Sequence, residues 1–266
     1  MFRAGHAIHP GHVVPAPVQA LIAQTSRIHQ LLAEPAAREL LVVLLGIDLA
    51  LIAIHVLISA GQYLAIIGEW TAGPLGFLSV TSDSSLPEIF NHLKEAAMLV
   101  VLVLAWVRSR QAVYLAWSAI MLLILGDDSL RIHENIGQWI STILPAAWSG
   151  EATHVFHENV VWVAYALLAS SLLWCGHQFS GAVERANSWA ILTGVLLVSF
   201  FAVGVDAIHA IVVRMGAGID TRLINGLLGV VEDGGEMLML SLTCAIVLSV
   251  YRQNRSPVPR TRAASG

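Results

Sequence analysis

The chain alternates between long apolar segments and short polar connections. Six of the apolar segments are long enough to cross a bilayer, because a spanning helix needs about 20 mostly apolar residues. The connections are rich in Gly, Pro, Ser and charged residues, which are typical of turns and loops. This pattern predicts an all-α integral membrane protein, a six-transmembrane-helix bundle. The predicted spans are Leu40–Ile67, Ile89–Val107, Val113–Ile143, His154–Trp174, Trp189–Val213 and Leu223–Tyr251.

The pattern also divides the chain into three regions. Residues 1–36 are predicted to form a cytoplasmic tail and an amphipathic linker, residues 37–251 the six-helix membrane domain, and residues 252–266 a basic cytoplasmic tail. The longest connection runs from Gly68 to Pro87, and its Gly and Pro residues argue against a regular helix. We expect this connection to fold back over the bundle as a lid that brings Asp83 near the polar residues of the spans.

Composition and charge placement support the membrane assignment. The 266 residues are 56% hydrophobic and only 12% charged, whereas soluble domains carry roughly 25% charged residues. Most arginines fall on one side of the six-helix arrangement, and cytoplasmic loops are the ones that collect Lys and Arg. We therefore expect a multi-pass protein of a bacterial cytoplasmic (inner) membrane with both termini in the cytoplasm. The sequence has no motif for phosphate or nucleic-acid binding, so we expect no nucleic-acid partner.

One stretch inside the third predicted span is unusually polar. It reads Gly-Asp-Asp-Ser-Leu-Arg-Ile-His-Glu-Asn from Gly126 to Asn135. A charged side chain at the bilayer centre costs about 2.5–3.5 kcal/mol even on insertion scales. On a continuous helix, Asp127, Arg131 and Glu134 share one face. We expect that face to look into the protein and not into lipid.

Polar residues of the other spans fall at a similar depth. At a rise of about 1.5 Å per residue, acids such as Glu95 and Glu232 lie roughly 10–20 Å from the outer end of their helices. Helices of alternating direction could have scattered these groups, yet they converge on one layer in the outer half of the bilayer. The sequence therefore predicts a shared site. Asp48, His55 and Gln62 form a separate stripe on the first span, which fits ordinary hydrogen bonding between helices.

Charge balance separates a structural role of this layer from a functional one. Nine carboxylates share it with two cations, Lys94 and Arg131, which leaves seven negative charges without a simple ion pair. Buried unpaired charges are too costly to stay ionised. Either most of the acids are protonated, which indicates a proton path, or cations are bound. The accompanying histidines favour a bound metal, because neutral imidazole and carboxylate are common ligands of first-row metals.

Two motifs have the spacing of metal-ligating pairs. Glu151-Ala-Thr-His154 is an E-x-x-H sequence, and Asp206-Ala-Ile-His209 is a D-x-x-H sequence on another helix. Di-metal carboxylate bundles combine two such pairs with single glutamates from two other helices. If Glu151 lies too near the membrane interface, Glu158 would serve with His154. We therefore predict a site for divalent metal, with two ions.

The candidate residues form two groups. The predicted metal ligands are Glu95, Glu134, His154, Glu158, Asp206, His209, Glu232 and Glu236. Residues expected to orient these ligands and balance their charge are Glu88, His92, Asp127, Asp128, Arg131, His133, His157 and Asp233. No residue is assigned as catalytic.

Two of the motifs also carry a resemblance. The first is the double acid at Asp127 followed by His133 and Glu134, and the second is Glu-Asp-Gly-Gly-Glu-Met from Glu232 to Met237. Together they resemble a loose group of uncharacterised bacterial multi-spanning membrane proteins. No activity is attached to that group, so the resemblance implies a shared site and nothing about its chemistry.

Three classes of function fit these observations. The first is a metalloenzyme acting on a membrane lipid or other hydrophobic molecule. With iron, which we favour, it would be an oxidoreductase, and with zinc it would be a hydrolase. Manganese is a further candidate metal. The second is a transporter or channel for divalent metal or protons, because intramembrane acids also mark ion paths. The inner halves of the later spans are nearly free of ionisable residues, which favours the enzyme. The third is an accessory structural subunit of a membrane complex, and a homo-oligomer or complex partner is compatible with each class.

Overall fold

The fold is a bundle of helices. The computed structural model describes residues 15–64, 76–143, 151–215 and 221–254, with side chains except at 151–158, 210, 213–215 and 221–223. A short 3₁₀ turn, Gly76–Leu78, precedes α3, and a π-helical segment, Phe200–Val205, joins α7 to α8. The α-helices are α1 (Ala16–Leu32), α2 (Pro35–Tyr63), α3 (Leu86–Ser109), α4 (Ala112–Leu130), α5 (Ile132–Ile143), α6 (Glu151–Gln178), α7 (Ala182–Ser199), α8 (Asp206–Met215) and α9 (Thr221–Gln253).

Six helical spans in the described part of the chain are long and apolar enough to cross a membrane, which confirms the predicted six-span bundle. The ends of the bundle differ. We call the end where α2 begins and α9 finishes the terminus face; there Arg252 Nε lies 2.7 Å from the Glu34 carboxylate. We call the opposite end, where the connection between α2 and α3 lies, the loop face. The six spans are Pro35–Tyr63, Leu86–Ser109, Ala112–Leu130, Asn159–Gln178, Ala182–His209 and Ile224–Gln253.

Helix α1 lies across the terminus face, within the region predicted as an amphipathic linker. Its Leu31 is fully buried. Its Arg27 donates hydrogen bonds to Asn187 on α7 and, at 2.8 Å, to Gln253 on α9. Glu34 then starts α2, because its carboxylate accepts from the backbone N–H of Ala37 at 2.7 Å, which is a helix N-cap. These contacts fasten the ends of α2, α7 and α9 to one another.

The terminus-face half of the bundle has a closely packed apolar core. Helix α9 packs along α2, α3 and α7, and Leu102, Trp117 and Ile246 are each at most 1% exposed. The indole N–H of Trp117 donates to the Ser188 hydroxyl at 2.8 Å. Asn187 similarly donates to the Tyr114 hydroxyl at 3.2 Å. This half of the protein is therefore closely packed, and α4 is held to α7 near the terminus face.

A buried ion pair joins three helices beneath the loop-face half. Lys94 Nζ of α3 lies 3.1 Å from Asp48 of α2 and donates at 3.0 Å to the carbonyl oxygen of Met237 on α9. Ser241 donates to the same Asp48 carboxylate at 2.5 Å. Asp48 is completely buried and Lys94 is 3% exposed. Asp48 therefore serves interhelical bonding, as predicted for its stripe, and the hydrogen bonds of Lys94 go to α2 and α9.

The third predicted span is not one helix, so that prediction is wrong. Arg131 adopts a left-handed conformation with φ 50°, and it separates α4 from α5. Asp127 accounts for the break, because its carboxylate accepts from the backbone N–H of His133 at 2.8 Å and so caps the start of α5. Asp127, Arg131 and Glu134 therefore do not share a continuous helical face.

The fifth predicted span is also irregular. Instead of one helix over Trp189–Val213, the structure has α7, the π-helical segment and α8. The ring of Phe201 packs so closely on Gly235 of α9 that a methyl group there would overlap it. Segments of π-helix insert a residue into a helix and are frequent at functional sites. Here the segment ends at Val205, directly before Asp206, whose side chain lines the cavity described below.

Part of the predicted lid lies over the bundle. The backbone N–H of Val80 donates to His55 Nδ1 on α2 at 3.1 Å. Asp83 lies 2.6 Å from the Arg131 guanidinium at the α4–α5 break. The described part of the connection thus folds back over the helices, as predicted, and brings Asp83 to the polar residues. The remainder, residues 65–75, lies outside the described residues.

The buried ion pair leads to the first prediction. Lys94→Met should lower the free energy of unfolding by about 3–5 kcal/mol, because it leaves the Asp48 carboxylate buried without its cation. The double variant Asp48→Leu/Lys94→Met should be more stable than the Lys94→Met variant. Thermal unfolding of the detergent-purified protein, followed by circular dichroism, measures both. Ser249→Ala is the control, since this buried hydroxyl bonds to no described group; a Lys94→Met variant as stable as that control would contradict the prediction.

The second prediction concerns the π-helical segment. Gly235→Ala should lower the unfolding midpoint, because the added methyl group displaces the Phe201 ring. Gly226→Ala on the same helix meets no atom within 4 Å. That control should be neutral, or stabilising by up to about 1 kcal/mol through helix propensity. Equal midpoints for the two variants would show that the close packing of Phe201 on Gly235 does not constrain the segment.

Candidate metal centre

A cavity of about 530 Å³ occupies the loop-face half of the bundle. Small-molecule sites typically measure about 300–1,000 Å³. Its wall has two parts. Near the loop face the wall is acidic, with residues such as Glu88 and Asp233. Deeper in the bundle it is apolar, with Met121, Val195 and Leu240. The cavity therefore places carboxylates at one end of an apolar chamber.

Three side chains converge in the acidic part: His92 and Glu95 on α3 and Asp128 on α4. One nitrogen of the imidazole and one oxygen from each carboxylate lie within 4.8 Å of one another. His92 and Glu95 are three residues apart, so they share a helix face, and Asp128 reaches them from the last turn of the neighbouring helix. Carboxylate and imidazole atoms typically bind a transition metal at about 2.0–2.2 Å. The spacing is therefore compatible with all three contacting one ion.

The interior of this cluster is incompletely hydrogen-bonded. His92 Nδ1 and Glu95 Oε2 are buried, and neither has a hydrogen-bond partner among the described residues. They lie 3.6 Å apart, and Glu95 is only 1% exposed. Because buried polar atoms are nearly always bonded, such exceptions indicate strain, catalysis, or a bound water or ion. A cation between these two atoms would satisfy both.

The two cations predicted for the polar layer are engaged elsewhere. Lys94 pairs with Asp48, and Arg131 pairs with Asp83 at the rim of the cavity. The hydrogen bond to Asp83 raises the pKa of Arg131, so the guanidinium stays charged and bound to that acid. Glu236 adds a further carboxylate within electrostatic range of Glu95 and His92. The acids of the cluster therefore lack ion pairs with the two cations that the sequence places at their depth.

A second polar group borders the cluster and is built on the α4–α5 break. His133 Nδ1 lies 2.6 Å from one oxygen of Asp127, and Tyr165 donates to the other oxygen at 2.9 Å. The imidazole ring lies 5.0 Å from the Trp162 ring, and both rings line the cavity. Carboxylates fix histidine rings in this way at metal and catalytic sites. The consecutive acids Asp127 and Asp128 thus have different partners.

The third polar group joins α8 to α9. His209 Nδ1 lies 2.9 Å from the Glu232 carboxylate, and Nε2 lies 3.1 Å from the Asn225 side-chain oxygen. Asp206 and Glu232 line the cavity. Of the predicted D-x-x-H pair, Asp206 therefore faces the cavity while His209 bonds to α9. This group stands apart from the cluster of His92, Glu95 and Asp128.

Comparison with known proteins places the chain in a family. The family described as a domain of unknown function, DUF8692, matches residues 39–250. The chain belongs to this family. The DUF8692 domain reaches from the first turns of α2 almost to the end of α9, so it contains the cavity and all three polar groups. No curated protein and no solved structure matches the chain.

The DUF8692 domain brings many of the predicted ligands together, but not all of them. Five predicted ligands line the cavity: Glu95, Glu134, Asp206, Glu232 and Glu236. His209 bonds to Glu232 and is not part of the lining. The side chains of His154, His157 and Glu158 lie outside the described residues. Of the residues expected around the metal, Glu88, His92, Asp128, Arg131, His133 and Asp233 line the cavity, while Asp127 is bonded to His133.

In the structure of the DUF8692 domain, His92 and Asp128 belong to the cluster itself, whereas the sequence predicts them only around the metal. The signal for His92 is present in the sequence, since His92 and Glu95 have the spacing of an E-x-x-H motif in the reverse order. The signal for Asp128 is weaker, because either of two adjacent acids could face the cavity. Tyr165 has no signal in the sequence, because its partner Asp127 lies on another helix.

The third prediction tests the α4–α5 break. Asp127→Ala removes the acceptor for the His133 backbone, the His133 ring and the Tyr165 hydroxyl. It should lower the free energy of unfolding more than Tyr165→Phe, which removes one bond worth about 1 kcal/mol. Asp83→Ala is the matched control, because its exposed ion pair is worth only about 0–1 kcal/mol. Unfolding midpoints in detergent measure this order, and Asp127→Ala matching Asp83→Ala would contradict it.

Proposed function

We propose that this protein is an integral-membrane metalloenzyme that binds divalent metal at His92, Glu95 and Asp128 and acts on a lipid or other hydrophobic molecule. One observation carries the proposal. The carboxylate of Glu95 is buried in the cavity, and its Oε2 atom has no hydrogen-bond partner among the described residues. With an imidazole nitrogen and a second carboxylate within 4.8 Å, the missing partner is best supplied by a cation.

The ligand set limits the metal. One imidazole with several carboxylates favours iron or manganese over copper. With iron the chemistry supplied by the metal would be oxidation, which we favour, and with zinc it would be activation of water for hydrolysis. The protein contributes an apolar chamber and the neighbouring Asp127–His133 pair, which can hold a proton at the histidine ring.

A second ion is part of the proposal. Glu236 lies one helical turn from Glu232 on α9, and it is within electrostatic range of Glu95. It could therefore be shared between the first ion and a second ion held by Asp206 and Glu232. The support for this second position is the number of acids that line the cavity, since two divalent ions would offset four negative charges. His154 and Glu158 remain proposed ligands on the ground of their spacing alone.

The apolar core favours an enzyme over a transporter. Transport requires access to the site from both sides of the membrane in turn. Toward the terminus face, the cavity ends on Met98, Met121 and Thr243, and the core around Leu102 and Trp117 follows. A site that opens toward one face and is closed toward the other suits a reaction at one leaflet.

Orientation in a bacterial cytoplasmic membrane is also proposed. The arginine with a described side chain near the loop face is Arg131. The others belong to helix ends and connections at the terminus face, which cytoplasmic regions typically contain. This places both termini in the cytoplasm and the cavity toward the outer leaflet. The terminus-face arginines with described side chains are Arg27, Arg38, Arg108, Arg110, Arg185 and Arg252.

The fourth prediction is metal content. Protein purified in detergent without added metal should contain iron, manganese or zinc by elemental analysis, with up to two ions per chain. His92→Gln, Glu95→Gln and Asp128→Asn should each reduce the content, because each removes one ligand of the cluster. Matched controls at the terminus face are Glu34→Gln and His177→Gln, which should keep the wild-type content.

The same assay separates one ion from two. If a second ion is bound, Glu232→Gln should reduce the content from two to one while the cluster remains loaded. Wild-type protein that has no metal, and gains none when iron, manganese and zinc are offered, would overturn the proposal. The acids would then be protonated, which would favour a proton path or an accessory structural subunit.

A further inference from the structure

We propose that the cavity binds a single-chain amphiphile with an uncharged or cationic head, its hydrocarbon chain in the apolar chamber and its head against the acidic cluster. The inference deepens the proposed function by naming the class of substrate. The reaction at the head rests on the proposed metal centre, whereas binding of the chain rests on the cavity alone. The two can therefore fail separately.

The first argument is the size and lining of the chamber. Ligand atoms of a metal lie only about 2 Å from it, so the ions account for a small part of about 530 Å³. Along α9 the lining extends from Glu232 to Thr243, a length of about 16 Å at the helical rise. Three methionines contribute to the lining, Met98, Met121 and Met237. Methionine is flexible and adapts to irregular apolar shapes, which suits a hydrocarbon chain.

The second argument is the arrangement of the helices around the chamber. Helix α6 packs along α4 and α5. It meets α7 at the terminus face, where His177 lies 2.8 Å from the Ser188 hydroxyl. Nearer the loop face, both α6 and α7 line the cavity, through residues such as Trp162 and Val198. Their outward surfaces carry exposed apolar side chains, among them Val163 and Leu196. The chamber therefore adjoins the bilayer, and the proposed route for the chain is from the lipid between these helices.

The third argument is charge. Nine acids line the cavity, and Arg131 is the one lysine or arginine in the described lining. Arg131 is occupied by Asp83. Two divalent ions and Arg131 would offset five charges among the nine acids, so the remaining acids, ionised at the exposed rim or protonated where they are buried, provide no positive charge for an anionic head. Like charges placed together cost several kcal/mol and exclude wrong partners. An anionic head, such as that of a fatty acid, is therefore disfavoured.

Carboxylate oxygens also indicate which heads are favoured. Ionised Asp and Glu side chains only accept hydrogen bonds. A hydroxyl head can donate one, and an ammonium head can donate several while adding charge attraction. Long-chain alcohols and amines therefore represent the class, and a carboxylate with the same chain is the negative comparison.

Quenching of Trp162 by brominated chains tests the inference. The probes are dibromo-octadecanol, dibromo-octadecylamine and dibromo-stearate, each titrated into the metal-loaded wild-type protein in lipid nanodiscs. Other tryptophans respond to bromine in the surrounding bilayer, so the signal from the cavity is the difference between wild type and Trp162→Phe. We expect this difference to saturate with the alcohol and the amine, and the stearate to bind about tenfold more weakly.

A matched pair of variants checks the location. Val198→Phe adds a phenyl ring to the cavity wall, and Leu196→Phe places the same ring on the exposed surface of the same helix. The first should abolish saturable quenching and the second should leave it unchanged. If Val198→Phe fails to fold, competition by unlabelled octadecanol against the brominated alcohol tests saturability on the wild-type protein.

The outcomes separate chain binding, the preference for the head group and the metal centre. Absence of a saturable Trp162 component overturns chain binding, and stearate binding as well as or better than the alcohol overturns the preference for uncharged and cationic heads. Metal content is measured on the same samples. Bound metal without chain binding rejects this inference and keeps the metal centre, whereas chain binding by protein that takes up none of the offered metals rejects the metal centre and keeps the chamber.

Discussion

The cost of an unpaired charge inside a membrane is the constraint on which this structure depends. Lys94 is buried only because Asp48 and two further oxygen atoms surround its ammonium group. Arg131 stays near the loop face and binds Asp83 there. Once these pairs are made, no lysine or arginine with a described side chain forms an ion pair with Glu95, Asp128 or Glu236. Protons or metal ions must supply the remaining charge, and the unbonded Oε2 of Glu95 favours metal.

Regular helices could not have brought these groups together. The two spans that deviate most from straight helices, at the α4–α5 break and at the π-helical segment, both deviate beside the cavity. Irregular backbone at membrane depth is tolerated where it is buried in protein or lines a cavity. The terminus-face half is regular and closely packed around Trp117 and Ile246. The protein thus combines a closely packed half with a half whose backbone is shaped by the polar residues.

The sequence predicts the fold well, because bilayer thickness fixes the length of each apolar segment. It also predicts the shared depth of the acids, since the helical rise converts sequence position into depth. The sequence constrains the rotation of each helix about its axis much less, so it predicts Asp128 and His92 around the site, whereas the structure has them in the cluster. The sequence does not predict the break at Arg131, because the break depends on one side chain, Asp127, bonding to a backbone N–H six residues later. The partner of Tyr165 could not be predicted, since helix packing alone brings it to Asp127.

The short segment from Asp127 to His133 explains why the break is needed. On a continuous helix, successive residues point about 100° apart, so Asp127 could not bond both the backbone and the ring of His133. With Arg131 in a left-handed conformation, Asp127 makes both bonds. Asp128 is then directed to Glu95, and Arg131 is directed to Asp83 of the lid. A single break in one helix therefore sets the cluster, the histidine beside it and the cover above it, and the polar residues that disturb the span are the ones that build the site.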